Sequence, residues 1–238
     1  MLQFNHILKK SGQLVKPILT ESLCLCCQQN TSKLLCQYCD QAIKKLIYPD
    51  NVCQSCGQLN IKANQCDLCL LNPPPWQQLV VAFHYDSLIK NLFQSFKFNH
   101  NFKIGSLLCQ LFSQSISNKL HIDSDVILPV PIHRQRNISR GFNQAYILAL
   151  ALSKQANIPL NTNYIKRKKY TKAQTLLEGK ARKANVNNAF SITSKIPYQR
   201  IIIIDDIITT GSTISSVCNT IAQSYASEIV VCVLAKPK

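Results

Sequence analysis

The sequence predicts an α/β fold: a largely parallel sheet flanked by helices, preceded by a small cysteine-rich metal domain. Three observations predict it. Apolar β-branched runs alternate with segments of helical apolar spacing from residue 80 to residue 235, the pattern of a doubly wound parallel sheet. Eight of the 12 cysteines form four C-x2-C pairs before residue 70. The stretch Ile201 to Thr213, IIIIDDIITTGST, runs a buried strand into two carboxylates and a hydroxyl-rich turn.

At 238 residues the chain suits one medium domain with a small companion. With 46% hydrophobic and 16% charged residues it is globular in composition. Its longest apolar runs, such as Ala145 to Leu152, fall far short of a bilayer span. The first 22 residues lack the apolar core and small-residue cleavage site of a signal peptide, so a cytoplasmic protein is expected. Cysteines in that compartment serve metals more often than disulfides. Lys and Arg outnumber Asp and Glu 27 to 11, and 20 of those cations lie after residue 75, which implies an anionic ligand or nucleic acid.

Taken in order, residues 1–22 carry Phe4, Ile7, Leu8, Leu14, Val15 and Ile18 on helix-like spacing, an arm for packing on the rest of the protein. Cys24 and Cys27 are then followed by Cys36 and Cys39, and Cys53 and Cys56 by Cys66 and Cys69. Each C-x2-C turn puts two sulfurs on one side of a knuckle, and two knuckles complete a tetrahedral thiolate site that favours zinc. The short gaps favour sequential pairing and two zinc ions, with interleaved pairing left open. Cys26 lies inside the first knuckle and competes with Cys24 and Cys27 as a ligand. Whether the ribbons staple the fold, touch DNA or dock a protein stays open. LNPPPW, Leu71 to Trp76, is a stiff linker, and the domain boundary is expected near residue 75, giving domains 1–75 and 76–238.

Val80 to Tyr85 reads as a strand, with His84 a core or edge residue. Asp86 is the N-cap of a helix whose Leu88, Leu92, Phe93 and Phe96 face the core, and a second helix follows from Ile104 to Ile116. Asp125 to Pro131 is a short buried strand. The loop after it holds Arg134, Arg136, Arg140 and Gly141 beside His133 and Asn143. Guanidinium forks bind phosphate oxygens in pairs, glycine admits close backbone approach, and ligands gather where loops leave the strands of such sheets. A helix from Asn143 through Ala156, nearly all apolar at AYILALAL and hence well buried, and a strand at Asn163 to Arg167 come next. Twelve basic residues and one acid, Glu178, lie between Arg134 and Lys183. Within that run, Lys166, Arg167, Lys168, Lys169, Lys172, Arg182 and Lys183 suit a polyanion or single-stranded DNA, although Tyr170 is the only aromatic among them.

The Ile201 strand then delivers Asp205 and Asp206 to the sheet edge, and Thr209, Thr210, Gly211, Ser212 and Thr213 open the next helix, whose buried face is Ile214, Val217, Cys218, Ile221 and Tyr225. Amides and hydroxyls there suit a phosphate, and the carboxylates suit ribose hydroxyls, directly or through a metal. Ile229 to Ala235 is the last strand.

With these pieces in place the chain resembles the ComF family, which includes ComFC-type and GntX-type proteins. The likeness lies in the four knuckles, the proline linker, PVPIH at Pro129 to His133, RGFNQ at Arg140 to Gln144, Gln174 through Asn185 with Ala189 and Phe190, and DDIITTGST at Asp205 to Thr213. It implies a type I phosphoribosyltransferase domain with an N-terminal double zinc ribbon, binding phosphoribosyl pyrophosphate (PRPP) with Mg2+. On that resemblance the 205–213 loop holds phosphate and ribose, the loop at 131–140 holds pyrophosphate, and residues 166–185 form a closing loop. The implied role is natural transformation: helping single-stranded DNA into the cytoplasm at the inner-membrane face, with a competence helicase and recombination proteins as partners. An active transferase with an unidentified acceptor, or a purely structural DNA-binding adaptor, are the alternatives. The chain departs from purine-salvage transferases at Thr209, where those carry an aspartate. It also has Arg134 where the family pattern has proline, and Leu176 to Gly179 where it has Gly-Leu-Ser-Arg.

Overall fold

A computed structural model describes residues 22–61, 63–120, 124–133, 141–168, 189–222 and 228–238. The chain packs as two compact units, Met1–Asp40 and Gln41–Lys238.

In the first unit β1 (Ser22–Leu23) and β2 (Asn30–Thr31) pair antiparallel around the first knuckle, and the second knuckle leads into α1 (Gln37–Lys44). In the second unit, the other knuckle pair flanks a loop that runs into α2 (Asp67–Leu71). The first knuckle of each pair turns the same way. Cys24 and Cys53 accept from Gln28 and Gly57 through their carbonyls, at 3.0 and 2.7 Å, and both partners sit at positive φ, 62° and 72°.

The main sheet is four-stranded, with β3 (Gln78–His84), β4 (Val126–Pro129), β7 (Arg200–Ile207) and β8 (Glu228–Lys236) in the spatial order β3-β8-β7-β4 and every pair parallel. β7 is apolar on both faces because it is covered on both. Ile201 and Ile203 join Leu128, Val130 and Val231 in one core with Ile214, Val217, Cys218 and Ile221 of the helix Ser212–Ile221. The helix Phe102–Lys119 (α4) packs on β3 and on the helix Gln144–Ala156 (α5), which in turn packs on β4 and β7. The helix Ser212–Ile221 (α6) lies on the side of Ile201 and Ile203, whereas the alternating Ile202 and Ile204 face the other side. Chains leaving β4 and β7 thus depart to different faces, which opens a crevice between the two strand ends.

Three local readings are corrected. The helix Ser87–Asn99 (α3) buries Ile89, Leu92, Phe93 and Phe96. That is the full i, i+3, i+4, i+7 set, and it leaves Leu88 half-buried at its margin. The strand expected at 163–167 is β5 (Ile165–Arg167), and it pairs antiparallel with β6 (Phe190–Ile192) outside the main sheet. The helix Gln144–Ala156 is not apolar all round, and Tyr146 is 36% exposed.

The second knuckle pair and the segment just before it are stitched to edge strand β3. Tyr48 donates its N–H to Ala82 (2.9 Å), His84 to Leu46 (2.8 Å) and Leu79 to Gln54 (2.6 Å). The buried Trp76, at the end of the proline linker, donates Nε1–H to the Ser55 carbonyl inside the knuckle at 2.7 Å. No helix among the described residues is long and apolar enough to cross a membrane.

Candidate functional site

The crevice at the end of β7 is a cavity of about 390 Å3, within the range of small-molecule sites. Its floor is Asp205 and Asp206. Its rim is the loop from Thr209 to Thr213, and its far walls come from the end of α3 (Gln94, Lys97, Phe98), the start of α5 (Asn143, Gln144), Tyr85 and Arg167.

Local structure explains each placement. Asp205 Oδ1 accepts the Asp206 N–H at 2.9 Å, and Asp206 Oδ1 accepts the Ile207 N–H at 2.7 Å, so each carboxylate is steadied by the next amide. Gly211 follows at φ 70°, in the left-handed region open to glycine, and is the N-cap of α6. It offers no side-chain cap, so the first amides of α6 are left to the loop and the cavity. The Thr210 and Ser212 hydroxyls lie 2.8 Å apart. Across the cavity, Asn143 caps α5 by accepting the Ala145 N–H at 3.1 Å, while its Nδ2 donates to the Val130 carbonyl at the end of β4. Two helix N-termini therefore meet at one site.

The charges are balanced from a distance. Lys97 Nζ donates to Asp206 Oδ2 at 2.9 Å with both side chains about four-fifths buried, and it lies 4.8 Å from the centroid of Phe93. Arg167 reaches the cavity across the Phe190 ring, 5.3 Å from its centroid. Burial, with the charge of Asp206 second, pushes the Asp205 carboxyl far above the ordinary carboxylate range, to about 8. The Asp206 N–H, Lys97 and Arg167 pull it back only in part.

Of the expected site residues, Asp205, Asp206, Thr209, Thr210, Gly211, Ser212, Thr213 and Arg167 come together here. Gly141 is exposed at φ 76° near His100 and is not part of the wall. Lys166 and Lys168 are exposed on and beside β5, away from the cavity. Arg134, Arg136, Arg140, Lys169, Lys172, Arg182 and Lys183 lie outside the described residues. Lys97 was missed, though the signal was present: it stands four residues after Phe93, at the core-facing edge of an amphipathic helix, where a lysine needs a partner. His84 stacks 4.5 Å from Tyr48 and does not line the cavity.

The cysteines form two tetrads. The sulfurs of Cys24, Cys27, Cys36 and Cys39, and of Cys53, Cys56, Cys66 and Cys69, lie within 4.8 Å of one another in each set, which resolves the pairing as sequential. Cys26 belongs to neither. Burial raises the Cys24 thiol, but N–H donation from Cys27, Cys36 and Cys26 outweighs it and brings it down to about 6. Cys53 is likewise brought to about 6 by the amides of Cys66, Cys56 and Ser55 against burial. Four sulfurs at this spacing, one already favouring thiolate, fit a four-coordinate zinc ion in each tetrad. Cys109, Cys218 and Cys232 are buried in the α/β unit and act as small apolar side chains, their thiols pushed up by burial.

A parallel sheet with an acid pair and a hydroxyl-rich glycine loop after its central strand is the architecture of a phosphoribosyltransferase-type domain. The family model for the phosphoribosyl transferase domain matches residues 104–238. Competence protein F of Haemophilus influenzae is 34% identical over 224 residues, 90% of this chain and 96% of that protein. DNA utilization protein YhgH of Escherichia coli K12 is 28% identical over 82% of this chain and 87% of its own. Competence protein ComFC of Bacillus subtilis is 27% identical over 76% and 74%. The chain belongs to the ComF family, with a type I phosphoribosyltransferase domain. Among solved structures, a purine phosphoribosyltransferase from Pyrococcus horikoshii aligns at TM-score 0.33 and 20% identity over 55% of this chain and 71% of that one.

Proposed function

We propose that the chain binds PRPP with Mg2+ in the cavity at the end of β7 and serves a ComF-type role in DNA uptake, handling incoming single-stranded DNA. The ligand half of this reading is carried by one observation: an acid pair meets a helix N-terminus that no side chain caps, inside one cavity. The amides of Ser212, Thr213 and Ile214 with the hydroxyls of Thr209, Thr210, Ser212 and Thr213 would hold the 5′-phosphate. Asp205 and Asp206 would take the ribose hydroxyls. Arg134, Arg136 and Arg140, after β4, would take the diphosphate, with Lys97 and Arg167 adding cations to the wall. The chemistry of the acid pair suits a divalent ion. Two adjacent carboxyls, one held protonated by burial and its neighbour, ionise together most readily beside Mg2+, which supplies charge neutralisation for the diphosphate.

The DNA half rests on the competence and DNA-utilization names of the relatives and on a net charge of +16. Lys166, Lys168, Lys169, Lys172, Arg182 and Lys183 are the contacts this reading assigns to phosphates. The functional boundary stays near residue 75, with zinc before it and phosphate chemistry after it. The working place is the cytoplasmic face of the inner membrane, beside a competence helicase and recombination proteins.

Calorimetry with PRPP and Mg2+ tests the ligand half, and absence of heat at millimolar PRPP would overturn it. Titration of labelled single-stranded DNA at rising salt tests the other. Affinity should fall with a log–log slope near 0.7 per phosphate neutralised, and salt-independent binding would count against it.

A further inference from the structure

The basic run from Lys166 to Lys183 supplies charge but, apart from Tyr170, nothing on which a base can stack. The fold gathers aromatic side chains elsewhere. α3 ends at Asn99, His100 turns the chain at φ 51°, and α4 starts at Phe102. Phe142 arrives from just before α5, with its ring centroid 4.9 Å from Phe96, 5.6 Å from Phe102 and 5.8 Å from His100. Phe96 is buried and anchors the group, while Phe98 and Phe102 are 59% and 63% exposed. Isolated apolar residues at a surface are ordinary, but clustered ones mark a contact. Phe98, two residues before His100, and Asn143, next to Phe142, both form part of the cavity wall, so the cluster adjoins the phosphate site.

Charge indicates what the cluster contacts. Between Asp86 and Asp123 the sequence has no acid and four lysines; Lys97 and Lys119 are paired with Asp206 and Asp50, while Lys90 and Lys103 lie on the two helices that flank the His100 turn, Lys103 next to Phe102. A neutral or basic protein partner seated on apolar rings gains nothing from that excess, whereas a polyanion does. Duplex DNA hides its base faces, and a single strand offers both faces and phosphates. We propose that Phe98, His100, Phe102 and Phe142 form a base-stacking platform for single-stranded DNA beside the cavity. The proposal rests on the DNA-handling reading above and gives that reading its surface.

The test is fluorescence anisotropy of the full zinc-loaded chain with a labelled thymidine oligonucleotide and with an abasic strand of equal length. Wild type should prefer the thymidine strand. Phe98→Ala with Phe102→Ala should weaken binding to it by roughly tenfold, leave the abasic strand unaffected, and keep the salt slope, because no phosphate contact is lost. Unchanged abasic-strand binding by the double variant excludes misfolding as the cause, and Phe102→Trp in the otherwise wild-type chain should retain full affinity because the stacking face is kept. Equal binding of the two strands by wild type, or wild-type affinity in the double variant, overturns the platform. So does a double variant that changes only the oligomeric state, since the rings would then serve contact between copies. A wild-type chain that binds no single strand at low salt instead removes the DNA-handling reading itself.

Discussion

Lys97 Nζ lies 2.9 Å from Asp206 Oδ2, although the two residues are 109 positions apart. The pair joins the last turn of α3 to the end of β7 and sets a cation against Asp206, whose charge would otherwise repel a phosphate.

Removing that cation should leave the site more dependent on metal. Lys97→Met is expected to destabilise the chain by about 1–3 kcal/mol, between the exposed and buried limits for ion pairs, and to steepen the Mg2+ requirement for PRPP binding. Calorimetry across a Mg2+ series reads this directly. An unchanged requirement would mean that Lys97 is only a structural brace.

The acid pair itself is the sharper test of the ligand assignment. Asp206→Asn should weaken PRPP binding by at least tenfold while the fold persists by circular dichroism. Affinity equal to wild type would remove the carboxylates from the site.

The only tryptophan of the chain, Trp76, reports on two places at once. Its Nε1 holds the Ser55 carbonyl at 2.7 Å, and a Cβ built on Gly211 would lie 3.4 Å from its Cη2. Disrupting the second tetrad with Cys53→Ser should release one zinc ion of two, red-shift Trp76 emission and weaken PRPP binding several-fold. Cys26→Ser should leave two ions bound by elemental analysis. Gly211→Ala should cost about 1–2 kcal/mol, because it puts a side chain at positive φ against that ring.

The pH dependence of stability includes one resolvable contribution at the start of the sheet. The Asp125 carboxylate accepts from the Arg200 N–H at 2.9 Å, the Gln199 N–H at 3.1 Å and the Arg200 guanidinium at 3.2 Å. The Arg200 N–H foremost, and its side chain after that, hold the carboxyl below the ordinary range. Its contribution is therefore complete above the unfolded value near 4 and is lost as pH falls through the lower folded value. Asp125→Asn should cost about 1 kcal/mol at pH 7 and less at pH 2, as read from urea midpoints at both.

Much of the fold is legible locally. The strands at 80–85, 125–131, 201–207 and 229–235 are all present, because a β-branched run carries its own preference and its own burial signal. Asp86 caps α3 by accepting the Ser87 N–H, as its sequence position suggests. The short knuckle spacing led to sequential tetrads, since closing a short loop costs less entropy than interleaving two. Less legible was the antiparallel β5–β6 pair, whose three-residue strands carry almost no periodicity.

By itself, then, the sequence determined the class of fold, the eight cysteines of the two tetrads and the acid-and-threonine loop. Each is written in residues adjacent along the chain, where propensity and spacing act. The tertiary structure alone decided that Lys97 faces Asp206, that Trp76 lies between a knuckle and the Gly211 turn, and that Phe142 packs against Phe96, His100 and Phe102. Those meetings depend on strand order and on which face each crossover takes. That choice is made by the burial of whole helix and sheet faces together, and no local pattern encodes it.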